Sequence, residues 1–270
     1  MSLELTILGS HTPRMCYEDK VPEFQKELVA AMHRASERLY AVRPEVLVLV
    51  STHWVASFNH YIDATPVHEG VLTAMECPDL ISNLHYRYPG DNALARALVE
   101  AGRAEGLPVI AVEDPTYVWD YGSVVPLRYL TPKADLPVIN MTVCLTASLE
   151  ETYRLGQIIG RVLREQPKRA VFLASGALAH NILRGPERKP TPMEQSMEDH
   201  FVRLVLEGDL AQAWAILPQF SQLARVEAGG RHVATWLGVM GDTAFRGEYL
   251  GWGQSSGSGN PVIVMHPQGA

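Results

Sequence analysis

The chain has 270 residues, 47% hydrophobic and 20% charged, with 23 Lys and Arg against 30 Asp and Glu for a net charge of −7. This composition is too apolar and too varied for a disordered chain, and it suffices for a full core. The acidic balance argues against a nucleic-acid partner, which calls for a basic surface stripe.

No run of about 18 continuous apolar residues occurs, so no membrane helix is expected. The N-terminal MSLELTILGS lacks a basic segment ahead of an apolar core, which predicts no secretory signal and a cytoplasmic location. Cys16, Cys77 and Cys144 are odd in number and widely spaced. They form neither a disulfide framework nor a CxxC metal motif.

Short apolar runs alternate with helical patterns. Leu3 to Leu8 reads as a strand ending in Gly9-Ser10-His11. Pro22 opens a helical stretch with Phe24, Leu28, Met32 and Leu39 at helical spacing. Val46 to Val50 is apolar on both faces, as for a strand covered on both sides. A helix is predicted over Asn92 to Gly102, then strands over Leu107 to Val112 and about Leu136 to Val143, with Pro137 at the start of the latter. Ser148 and Glu151 form a capping-box pattern opening a helix to about Glu165. A strand follows at Ala170 to Ala174, then helical patterns near Met193 to Glu207, Leu210 to Leu217 and Gly230 to Met240, and a last strand at Val262 to Met265. Ser255 to Gly259 reads as a loop. Alternation over the full length predicts an α/β fold: three layers, α/β/α, with a mostly parallel central sheet in a single domain over residues 1–270.

The histidines carry the functional signal. His11 and His53 closely follow the first two predicted strands, and His180 lies beyond the strand ending near Ala174, within ASGALAH. In a parallel sheet these ends share one edge, where ligands of open α/β sheets bind. A single histidine at a strand end is more often a hydrogen-bonded structural residue, but three with the same placement point to one pocket. His33 and His200 fall in helical patterns, His60, His68 and His85 in polar loops, and His266 near the C-terminus. Those six, with His232 at a helix start, read as structural.

Two imidazoles plus a carboxylate would suit a non-haem iron and leave open coordination positions. Glu113, Asp114, Asp120 and Glu227 all qualify on position, and spacing does not choose among them. A zinc site with three histidines and water is equally open. In DYGSVVPLRYL, 120–130, Tyr121 could aim its hydroxyl into the pocket, although a packing role is the plainer reading. No phosphate-cradling glycine loop follows a strand. GQSSG at 253–257 matches an esterase elbow, but no helix can follow it, so it reads as a chance match in a flexible loop.

SHTPRM (10–15), STHW (51–54), DYGSVVPLRYL (120–130), LASGALAHNI (173–182), VEAGGRHVATWLGVMG (226–241) and SSGSG (255–259) span nearly the whole chain. Together they resemble the class III extradiol ring-cleavage dioxygenases, the superfamily of the protocatechuate 4,5-dioxygenase catalytic subunit. VPLRYL and SSGSG resemble the 3,4-dihydroxyphenylacetate (homoprotocatechuate) 2,3-dioxygenase branch.

The resemblance implies that His11, His53 and Glu227 hold Fe(II), that His180 is the acid/base residue and that Tyr121 is a second catalytic residue. It further implies a catechol and O2 as small-molecule partners. Homo-oligomers are common among soluble enzymes, so one is expected. Ala179 replaces a serine that the family often has, and Arg231-His232-Val233 also departs from the branch pattern. Both changes bear on substrate identity. Three rivals follow: a 2-aminophenol-cleaving enzyme that works with a second subunit, a non-catalytic metal-binding relative, and a zinc hydrolase. For the carboxylate of an acidic substrate, Arg14, Arg128, Arg184 and Arg231 are all candidates.

Overall fold

The computed structural model describes residues 3–268. In chain order, β1 (Leu3–Gly9) leads through single 3-10 turns at Pro13–Met15, Glu18–Lys20 and Glu23–Gln25 to α1 (Lys26–Ala41). Then come β2 (Val46–Ala56), β3 (His60–Asp63), β4 (Val67–Leu72), β5 (Leu84–Pro89), α2 (Asn92–Ala104) and β6 (Val109–Val112). The second half contains α3 (Tyr121–Leu130), β7 (Val138–Cys144), α4 (Leu149–Glu165), β8 (Ala170–Ser175), α5 (Pro192–Glu207) and α6 (Leu210–Leu223). A 3-10 turn at Glu227–Gly230, α7 (Arg231–Met240), β9 (Phe245–Ser255) and β10 (Ser258–Pro267) complete it.

Among the described residues the main sheet has eight strands, in the order β6-β3-β7-β2-β8-β1-β10-β9. Its centre, β7-β2-β8-β1, is parallel. The chain turns antiparallel at β1–β10, at β10–β9 and at a short β3–β7 contact.

Side chains of the central strands alternate between two cores. Val46, Val48 and Val50 of β2 face one core with α2, α4, α5, α6 and α7. Leu47 and Leu49 face the other with α1 and α3. A fully buried aliphatic side chain contributes about 1.5–3 kcal/mol, so a strand apolar on both faces is stable only between two helical layers. This is the layered, mostly parallel α/β architecture expected from the apolar runs.

Several elements depart from the periodicity. Pro22 precedes a 3-10 turn rather than an α-helical one, and α1 begins at Lys26. His60, His68 and His85 lie in β3, β4 and β5, not in loops. His60 and His68 are buried, held by Glu151 at 3.0 Å and Asp63 at 3.0 Å. Ser148 caps α4 through the Glu151 N–H, but the Glu151 carboxylate turns to His60 and does not close the box. GQSSG and SSGSG form the end of a continuous β9–β10 hairpin, so neither is a flexible loop.

Candidate metal centre

Parallel strands deliver the site to their shared C-terminal edge. His11 lies two residues past β1, on the segment leading into the Pro13–Met15 turn. His53 lies inside β2, not after it. Pairing with β7 runs from Ser51–Thr142 directly to Val55–Val143, so Thr52, His53 and Trp54 form an insertion in the ladder. Such a bulge re-aims side chains and breaks the strict in/out alternation. It puts the Thr52 hydroxyl 2.8 Å from Glu227 Oε1 and turns His53 Nε2 towards the same oxygen, at 3.2 Å.

Glu227 is presented by a left-handed turn. Ala228, Gly229 and Gly230 follow it with φ of 49°, 63° and 79°. At Gly230 a Cβ would also come 2.2 Å from Ser221 Oγ, so glycine is required there on both counts. Arg231 ties the turn down by donating to the carbonyls of Ala228, Leu145 and Ala147.

His11 Nε2 faces Glu227 Oε1 at 3.3 Å, and one ligand atom from each of His11, His53 and Glu227 falls within 4.8 Å of the others. His180 Nε2 is 3.9 Å from the same oxygen. The His180 backbone is fixed by an N–H donated to Ala224 O and by a bridge to Ser258. Tyr121 opens α3, directly after its cap Asp120. Its ring lies 4.1 Å from that of His53 and 5.6 Å from that of His11. His232 is fully buried on α7 and is not one of the three clustered side chains. Asp120 accepts from Ser51 and caps α3, while Glu113 pairs with Arg96 and Asp114 with Thr116. Of the four carboxylates open on sequence grounds, Glu227 alone joins the histidines.

Supporting contacts orient the rings. Ser175 Oγ donates to Gly122 O, so it accepts from His11 Nδ1 at 2.9 Å and leaves Nε2 to face inward. His53 Nδ1 donates to Glu76 at 3.2 Å. The second Glu227 oxygen accepts the Ala177 N–H at 2.6 Å. Sequence reasoning missed Thr52, Ser175, Ala177 and Glu76, because their roles arise from three-dimensional contact.

The electrostatics match this arrangement. Burial alone would raise the Glu227 pKa, but His11, His53 and His180 outweigh it and hold the carboxyl well below its usual range. Burial pulls His53 down, yet Glu227, Asp120 and Glu76 together bring it above the ordinary histidine value. Burial lowers His180; Glu227 opposes the shift, and His11 and His53 add to it. Burial, then the nearby carboxylates, raises the Tyr121 phenol, so it is a protonated donor at neutral pH.

His53 Nε2 is buried without a hydrogen-bond partner among the described residues. Two inward ring nitrogens and a carboxylate oxygen at these separations call for positive charge between them. Two imidazoles and one carboxylate suit a first-row divalent ion. The residues therefore fit a metal, in a cavity of about 420 Å³ that Tyr121 and His180 also line.

Fold and site together define an α/β protein with a two-histidine, one-carboxylate centre at the carboxyl edge of its sheet. Residues 5–259 match the family model described as the catalytic LigB subunit of aromatic ring-opening dioxygenase. The chain belongs to this family, and is an extradiol dioxygenase, an oxidoreductase that opens aromatic rings.

It is similar to the 2-aminophenol 1,6-dioxygenase beta subunit of Pseudomonas sp, 27% identical over 95% of this chain and 91% of that protein. It is also similar to 3,4-dihydroxyphenylacetate 2,3-dioxygenase of Escherichia coli, 24% identical over 79% of this chain and 80% of that protein. The crystal structure of an uncharacterised Escherichia coli K12 protein shares the fold, with TM-score 0.71 and 20% identity over 97% of this chain and 99% of that one. Among the described residues no helix is long and apolar enough to cross a membrane.

Proposed function

We propose that residues 1–270 form one catalytic domain of a cytoplasmic, homo-oligomeric, Fe(II)-dependent enzyme of aromatic catabolism. It cleaves 3,4-dihydroxyphenylacetate beside its two hydroxyls and incorporates both atoms of O2. The observation that carries this reading is the convergence of His11 Nε2 and His53 Nε2 on one Glu227 oxygen, at 3.3 and 3.2 Å. His11, His53 and Glu227 hold the metal. Ferrous iron bound there supplies a redox-active template that brings the diol and O2 side by side, which zinc cannot do.

The chain's own groups manage protons and orientation. Ser175 keeps the His11 Nε2 lone pair directed inward, and Thr52 and Ala177 fix the Glu227 carboxylate. His180, held neutral by burial, takes the proton that a phenolic hydroxyl gives up on binding and returns it through Nε2 when the ring opens. Tyr121 donates its phenolic hydrogen bond to the bound substrate or to the oxygen being transferred. Leu80 and Ile182 line the cavity and limit water beside the reacting ring.

The test is to add 3,4-dihydroxyphenylacetate in air to protein loaded anaerobically with Fe(II). A yellow ring-opened semialdehyde is expected, with one O2 consumed per substrate. Absence of oxygen uptake with every aromatic diol and aminophenol tried would overturn the reading.

A second reading has its own support. The match to the 2-aminophenol 1,6-dioxygenase beta subunit extends over 95% of the chain. On that reading an amine replaces one hydroxyl and a second subunit is required. Turnover of 2-aminophenol exceeding that of catechol acids would favour it.

A further inference from the structure

The cavity in front of the metal centre is lined by His11, His53, Glu227, His180 and Tyr121 at its inner end, and by Arg14 in its wall. Among the described lining residues Arg14 is the sole lysine or arginine. It stands three residues beyond His11, in the middle of the 3-10 turn Pro13–Met15. That turn is held from both sides: Met15 N–H donates to Thr12 O, and Tyr129 Oη donates to Met15 O. The base of the Arg14 side chain is therefore fixed relative to the histidine that precedes it.

Arg14 is half-buried, and its side chain forms no ion pair or hydrogen bond among the described residues. The neighbouring Cys77 thiol offers no counter-charge, because burial together with Glu76 and Asp79 pushes its pKa up to about 11. Glu76 is engaged by His53.

The other three arginines have different surroundings. Arg231 is spent on backbone carbonyls. Arg128 is exposed and lies over the Tyr17 ring, and Arg184 is exposed; neither lines the cavity. A half-buried cation with all its donors free, in the wall of a cavity otherwise lined by apolar, neutral and acidic groups, calls for an anion to complete it.

We infer that Arg14 is the specificity residue of this site: it binds the carboxylate of an aromatic diol that carries an acidic side chain on the ring. The inference rests on the ring-opening reading and deepens it. The metal end of the cavity selects the paired ring hydroxyls and Arg14 selects the negative tail. Arg14 also lines an adjoining cavity with Lys20 and Asp79, which gives a longer tail a path outward.

The test compares matched substrates in the Fe(II)-loaded full-length protein. 3,4-Dihydroxyphenylacetate supplies the acid, 4-methylcatechol the neutral truncation and dopamine the cationic counterpart. Oxygen uptake gives kcat and KM, and anaerobic calorimetric titration gives dissociation constants. Wild type should prefer the acid. In Arg14→Gln, the acid-to-neutral ratio of kcat/KM should fall on the order of tenfold to a hundredfold, with the loss in KM and in the dissociation constant rather than in kcat. Arg14→Glu should invert the order and favour dopamine over the acid.

An unchanged ratio in both variants, with diols still opened, would overturn the role of Arg14 and leave the ring-opening reading intact. Failure of wild type to consume oxygen with all three diols would instead remove that reading, and this inference with it.

Discussion

Ser175 Oγ lies 2.9 Å from His11 Nδ1 and gives its own proton to the carbonyl of Gly122. The serine is therefore an acceptor towards the imidazole, and the ring presents Nε2 to the cavity without having to choose between tautomers. Removing the partner of a metal-bound histidine weakens metal binding by about tenfold to a hundredfold. Ser175→Ala should show that loss when Fe(II) or Co(II) is titrated into apoprotein. The thermal midpoint before loading should fall modestly, because the buried Gly122 carbonyl loses its donor while both apolar cores stay intact. Wild-type metal affinity in the variant would refute the orienting role.

The proposed division of labour predicts two distinct kinds of failure. His11→Ala and His53→Ala should lose both bound metal and turnover. His180→Ala should retain the metal and slow ring opening by about a hundredfold or more, as for loss of a general acid/base. Metal analysis of each purified variant beside single-turnover kinetics separates the two outcomes. Loss of metal in His180→Ala would reassign that residue to the ligand set.

Tyr121 combines packing against the His53 ring with a phenol kept protonated by burial. Tyr121→Phe preserves the first property and removes the second. We expect kcat to fall by about tenfold or more with metal content unchanged. An undiminished kcat would leave Tyr121 as a packing residue only.

Glu198 lies behind the His180 segment. Its two oxygens accept the Ala179 N–H at 2.9 Å and the Trp252 indole N–H at 2.6 Å. Its close neighbour Gly259 has no room for a side chain, since a Cβ there would fall 2.2 Å from the carboxylate. Burial pushes the Glu198 pKa up to about 7, from an ordinary value of 4.5. Between those values the folded protein holds a proton that the unfolded chain has released. The contribution of Glu198 to stability is therefore full below pH 4.5 and declines as the pH rises through 7, by on the order of 3 kcal/mol across the window. Denaturant unfolding at pH 5 and pH 8 should show a larger drop for wild type than for Glu198→Gln. Equal drops would place the ionisation of Glu198 elsewhere.

The layers were legible in the sequence because burial on both faces leaves a simple trace: Val46 to Val50 has no polar position, and only a strand between helices tolerates that. β3, β4 and β5 were not legible: β3 and β4 carry the buried His60 and His68, which only the tertiary contacts to Glu151 and Asp63 satisfy, and β5 carries the exposed His85. α3 was hidden by Pro126 in its interior. Strand polarity put His11, His53 and His180 at one sheet edge, but no spacing rule chooses Glu227 over Asp120. That choice depends on which loop folds back over the edge, and the resemblance to known enzymes supplied it. Arg14 could not be singled out from four arginines until the partners of the others were visible.

The insertion in β2 ties together two requirements that could have evolved apart. One stretch, Thr52-His53, contributes a ring to the cluster and the hydroxyl that braces the opposing carboxylate. Shortening the stretch by one residue would reverse the facing of both at once, while the Val/Leu alternation upstream stayed in register. A lineage could thus shed its chemistry in a single deletion and keep an intact scaffold, free to be recruited for something else.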